Sequence, residues 1–69
     1  MPLTLARPGE DASIKKVGGS PETRQFLEKL GFVPGTKLTV VGTISGDMIV
    51  GVKESRVAIS REMAAKIWI

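Results

Sequence analysis

The sequence predicts a mostly β protein, a small, strongly bent, mostly antiparallel barrel of five short strands with one short helix inserted after the first. Two observations carry this prediction. Glycine and proline recur at short intervals, as Pro8-Gly9, Gly18-Gly19, Pro34-Gly35, Gly42 and Gly46, and turns so closely spaced leave room only for short elements. Between them, apolar and polar residues alternate with the period of two that marks a half-buried strand, except in one stretch of helical spacing. A flat sheet of this size would leave both edges unprotected and half a core uncovered, so closure is expected.

The first strand is DASIKKV, residues 11–17, with Ala12 and Ile14 on one face. Val17 breaks the alternation and marks a bulge or the strand's end. The helix follows over residues 21–30. Ser20 supplies its N-cap, Pro21 suits the first helical position, and Glu22 sets negative charge near the positive end of the dipole. Phe26, Leu27 and Leu30 share the apolar face, with Arg24, Gln25, Glu28 and Lys29 mostly turned away. Phe26 and Phe32 are both expected in the core.

The helix runs without a spacer into LGFVPGTKLTVVG, residues 30–42. With Leu30 as C-cap, Gly31 takes the left-handed conformation that ends many helices, and Phe32 reaches back to Leu27 as the hydrophobic contact of a Schellman motif. Val33-Pro34-Gly35-Thr36 then fits a type II turn, proline fixing the second φ and glycine supplying a positive third. Ser20, Leu27, Leu30, Gly31, Phe32, Pro34 and Gly35 are therefore read as structural determinants.

Beyond the turn, KLTVVGTI points Leu38 and Val40 inward and Thr39, Val41 and Thr43 outward. In DMIVGV, Met48, Val50 and Val52 alternate with Ile49 and Gly51, and the two strands form a hairpin about residues 45–47. RVAIS brings Val57 and Ile59 inward. KIWI closes the chain with Ile67 and Ile69 inward and Trp68 outward, after a short turn that holds Met63.

A chain of 69 residues is expected to form one domain, residues 1–69. It contains no histidine, cysteine or tyrosine. The commonest nucleophile, general base and transition-metal ligands are thereby missing, and no enzymatic activity, catalytic residue or cofactor is expected. Glu10 and Asp11 are too few to complete a cation site, so a solvated turn is expected and a hard cation would be held only weakly. GGSPETR, residues 18–24, places glycines before a helix but lacks the Gly-Lys-Ser/Thr ending of a nucleotide-binding loop.

Ten Lys and Arg against seven Asp and Glu give a charge of +3, with the signs interspersed as on a solvated surface. Lys15, Lys16, Lys29, Lys37, Lys53, Arg56, Arg61 and Lys66 would form a basic stripe if several shared a face. Single-strand binders of this shape stack bases on aromatic rings, of which only Phe26, Phe32 and Trp68 exist. Nucleic acid is not the expected partner. No apolar run approaches the roughly 18 residues of a membrane span, and no signal peptide is marked, so the cytoplasm is the expected location.

The outward apolar residues Val41, Ile49 and Trp68, with Met63 beside them in sequence, would form a docking patch for another protein if they cluster. Short exposed strand edges also favour self-association.

LGFVPGTKLTVV resembles the signature of the ferrous iron transport protein A family (FeoA). LARPGEDASIKKVGG is similar to that family's opening, RQFLEKLG to its helix and RVAISREMAAKIWI to its close. The resemblance spans nearly the whole chain. It implies an SH3-like β-barrel of five to six strands with an inserted helical element, the barrel type that also ends some iron- and manganese-dependent repressors. It implies no enzymatic activity and a partner, ferrous iron transport protein B, a membrane transporter with a cytosolic GTP-binding domain. Carried over by position, Leu30, Gly31, Pro34 and Gly35 match the family pattern as structural determinants. Arg24 matches a basic helix position and joins the candidate partner-binding surface. The alternatives are a nucleic-acid-binding small barrel, a stand-alone relative of the repressors' SH3-like domain, or a direct binder of metal or nucleotide. Recognition of proline-rich ligands is not expected, because that groove needs a row of aromatic rings.

Overall fold

A computed structural model describes residues 1–69. A 3-10 turn at Leu3–Leu5 is followed by β1 (Asp11–Ser13), β2 (Lys16–Val17), α1 (Pro21–Leu30), β3 (Lys37–Ile44), β4 (Asp47–Val52), β5 (Ser55–Ser60), α2 (Arg61–Ala64) and β6 (Ile67–Trp68). Strands β1-β3-β4-β5 form one antiparallel sheet, and β2 pairs with β6 in a second.

The expected first strand is thus two strands that serve different sheets, and its backbone bonds give the reason. The Ile14 amide donates to Thr36 O (2.9 Å) and its carbonyl accepts from Gly35 N (2.8 Å), whereas the Lys15 amide donates to Trp68 O (2.7 Å). The chain changes partner between these two residues and so turns the barrel's corner. Val17, where the alternation broke, lies past that corner opposite Ile67.

Helix α1 starts and stops where the local signals set it. The Ser20 Oγ accepts from the Thr23 amide, Pro21 occupies the first turn, and Gly31 adopts φ 106°. Phe32 N donates to Leu27 O and Gly31 N to Glu28 O, each at 2.9 Å. These are the two bonds of a Schellman motif, and they satisfy carbonyls that a helix end otherwise leaves bare. The next turn closes with Thr36 N donating to Val33 O at 3.0 Å and Gly35 at φ 90°, as a type II turn requires.

The helix face differs from expectation at one residue. Leu27 is buried and Leu30 packs on the core, but Phe26 is 48% exposed. Adjacent helical residues lie about 100° apart around the axis, and only the Leu27 side meets the barrel.

Strands β3 and β4 carry the expected alternation as far as Val40, where the register shifts between Val40 and Gly42. This β-bulge places Gly42 opposite Ile49 and Thr43 opposite the core residue Met48. Thr43 therefore stands on the Met48 row and not on the outward row with Val41, because one extra residue inverts the phase of everything after it. The hairpin closes through Ser45 and Gly46, both at positive φ, the pattern of a two-residue type I′ turn.

Two short elements were not expected. Met63 lies in the one-turn helix α2, capped by the Ser60 hydroxyl, and packs partly buried against the core. Leu3, in the 3-10 turn, is fully buried. The N-terminal amine donates to Ile69 O at 2.6 Å, and Ile69 N donates back to Met1 O at 2.8 Å. The two ends of the chain thereby close the barrel beside β6. Thirteen residues, all apolar, form the core, and no polar side chain is buried.

Gly31→Ala is expected to cost about 1 to 2 kcal/mol in urea denaturation, the penalty of a β-carbon in the left-handed region. Its nearest new contacts would be ordinary ones to Val52 at 3.6 Å, so the backbone term dominates. Gly42→Ala, with no heavy atom within 4 Å and no positive φ, is expected within about 0.5 kcal/mol of the parent. Phe32→Ala removes the largest fully buried side chain and is expected to cost about 3 to 5 kcal/mol. Total stability of roughly 3 to 10 kcal/mol follows for 69 residues, so circular dichroism of that variant should show a largely or wholly unfolded chain at 37 °C.

Candidate functional site

The outer face of the larger sheet is built in cross-strand rows fixed by register. One row runs Asp11, Thr39, Gly51, Arg56, and its neighbour brings Ile49 between Gly42 and Ala58. Val41 is the extra residue of the bulge. It is 39% exposed, and its Cγ2 lies 4.0 Å from where a β-carbon on Gly51 would stand. Ile49 is half-buried. Val41 and Ile49 therefore form an apolar strip on the outside of the sheet.

The other sequence-predicted surface residues stand on different elements. Trp68 belongs to the second sheet, outward and 38% exposed, opposite Lys16 on one side and Pro2 on the other. The Lys16 ammonium sits 5.1 Å from its ring centroid, a cation–π contact that covers part of the indole. Met63 on α2 is turned largely into the core, and Arg24 is exposed on α1. The five residues do not share one element or one sheet, and only Val41 and Ile49 are neighbours through the β3–β4 pairing.

Other apolar surface was missed in the sequence. Ile44 and Leu5 are the most exposed large apolar residues, at 64% and 65%. Ile44 borders the hairpin turn, and only its position before Ser45-Gly46 distinguishes it from a core isoleucine. The strip continues into an open trough of about 660 Å³ across β1, β3 and β4, floored by Gly51 and lined by Asp11, Ser13, Lys37, Thr39 and Lys53. Thr39 Oγ1 donates to the Asp11 carboxylate at 2.6 Å across the strand pair. The Lys53 stem passes 3.9 Å from where a β-carbon on Gly31 would stand, which ties this end of the trough to the end of α1.

Glu10 and Asp11 gain no third carboxylate, for no group of three or more acidic side chains gathers anywhere in the structure. The two glycines before α1 lead into the Ser20 cap, whose hydroxyl is taken up by Thr23. No helix is long and apolar enough to cross a membrane.

Comparison with known proteins matches the FeoA domain over residues 1–69. A protein of Methanocaldococcus jannaschii named "Putative Fe(2+) transport protein A" is 35% identical over 68 residues, 99% of this chain and 83% of that one. The solution structure of the FeoA protein from Chlorobium tepidum superposes with a TM-score of 0.90 at 27% identity, covering 99% of this chain and 67% of that one. The crystal structure of Stenotrophomonas maltophilia FeoA complexed with zinc, described as a prokaryotic SH3 domain protein, gives a TM-score of 0.85 at 22% identity over 99% of this chain and 87% of that one. The fold is SH3-like, as the sequence resemblance implied, and the chain belongs to the FeoA family.

Proposed function

We propose that this chain is a cytoplasmic, non-enzymatic accessory protein of ferrous iron uptake that acts by contact with ferrous iron transport protein B and supports that transporter's assembly or activity. Membership of the FeoA family and the ferrous iron transport role named for the M. jannaschii relative support the process. Contact as the mode of action rests on one observation, the apolar strip that exposed Val41 and half-buried Ile49 form on the outer sheet face. Apolar side chains held outside a packed core lose hydration when a partner covers them, at about 25 cal/mol per Å² of apolar surface. Alternation from Val40 turns Val41 outward, and the bulge leaves it there without a cross-strand partner of its own.

The test is capture of the transporter by this protein, using its cytosolic domain in nucleotide-free and GTP-bound states and the full transporter in detergent. Specific association is expected in at least one of these preparations, and its absence from all of them overturns the reading. Val41→Glu is expected to weaken capture at least tenfold, about 1.4 kcal/mol, with circular dichroism unchanged because the residue is outside the core. Trp68→Glu asks whether the second sheet also touches the partner; a tenfold loss there would extend the surface to both sheets.

A further inference from the structure

We propose that the trough over Gly51 is the docking site for an extended acidic segment of a partner protein, with carboxylates meeting Lys37, Lys53 and Arg56 and an aliphatic side chain seated on the glycine. The proposal rests on the contact reading above and names the chemistry that this face recognises. Lys37 and Lys53 line the trough, and Arg56 stands across the strand pair from its glycine floor. No lysine or arginine side chain in the structure makes a hydrogen bond, so these cations have donors to give. The one carboxylate of the trough, on Asp11, accepts from Thr39 at 2.6 Å. The trough lining therefore carries two lysines, with Arg56 across from its floor, against one carboxylate that is already engaged.

Gly51 gives the site its shape. Its φ is not positive, and a β-carbon there would meet only Thr39 and Val41, at 3.7 to 4.0 Å. Neither backbone conformation nor packing demands glycine, yet its lack of a side chain opens the sheet surface between Thr39 and Lys53. Val41 borders the opening on its apolar side. An extended segment of about six residues covers roughly 20 Å, close to the 22 to 28 Å dimensions of the molecule, and its alternate side chains point down to the sheet. Nucleic acid fits less well. Base stacking needs aromatic faces, and the trough has none, since Trp68 lies on the second sheet beneath Lys16 and Phe26 lies on α1.

The experiment titrates the protein against fluorescein-labelled peptides, one alternating Glu and Leu and one with Gln in place of Glu, and against oligothymidylate. Fluorescence anisotropy and ¹⁵N chemical shifts are read together. The Glu-Leu peptide is expected to bind with shifts at Ser13, Thr39, Gly51 and Lys53, and the Gln-Leu peptide at least tenfold more weakly. Gly51→Val fills the trough and Lys37→Glu reverses its charge, and each is expected to weaken the Glu-Leu peptide at least tenfold. Lys37 is exposed on the outer face, so its variant decides the matter even if Gly51→Val does not fold. Equal binding of the two peptides, shifts confined to other residues, or tighter binding of oligothymidylate at these residues would overturn the proposal. Peptide binding by a protein that captures no transporter refutes the partner assigned above and leaves the trough standing. Capture by Gly51→Val and Lys37→Glu at the parent level, with no peptide bound, refutes the trough alone.

Discussion

The backbone hydrogen bond from Phe32 to Leu27 fixes more of this structure than any other single contact. It ends α1, and in doing so it carries the Phe32 ring back over the helix into the core, where it is the largest fully buried side chain. The turn that follows then has only one place to go. Gly35 donates to the Ile14 carbonyl and Thr36 accepts from the Ile14 amide, so the joint after the helix clamps the residue at which the first strand leaves one sheet for the other. Helix end, core anchor and barrel corner are in this way one mechanical unit. A chain of this size buries only about 60% of the surface it exposes when unfolded, and it has no disulfide to compensate. Concentrating several constraints in one joint limits the conformational freedom that the small core must offset.

The division between inside and outside has functional weight. The core is wholly apolar, and every charged side chain is left at the surface. The outer face of the larger sheet gathers what could not be placed inside, an aliphatic strip beside a trough with two lysines and an arginine opposite its floor. Such a face suits recognition, because apolar surface supplies affinity and charge selects the partner. Its geometry comes from two small departures from regularity, the bulge that frees Val41 and the glycine that opens the sheet. Neither alters the core behind it.

Local chemistry was the legible part of the sequence. Ser20-Pro21 and Leu30-Gly31-Phe32 are signals read by residues within a turn of themselves, and the structure uses each of them as the sequence indicates. The strands were legible wherever alternation held, as in Met48, Val50 and Val52. What escaped reading required knowledge of neighbours. Phe26 and Leu27 are adjacent on the helix, and which one enters the core depends on where the barrel lies. Gly42 inside the strand is the one mark of the bulge at Val41, and it does not by itself say that the phase inverts there, so alternation sets Thr43 on the Val41 row whereas the register pairs it with Met48. Leu3 reaches the core only because the two ends of the chain pair beside β6.

Of the candidate surface, the sequence could identify Val41 and Ile49 as outward apolar residues, yet it could not separate them from Trp68 and Met63. Pairing decides that separation. The sequence by itself determined α1 with its caps, the turns, the alternating strands and the membership of the barrel in a family, because these depend on residues close together in the chain. Tertiary structure alone decided which strand pairs with which, where the first strand breaks, and which exposed side chains share a face. Those outcomes depend on contacts between residues distant in sequence, such as Asp11 with Thr39 and Gly51 with Arg56, and their free energy is realised only when the whole barrel closes.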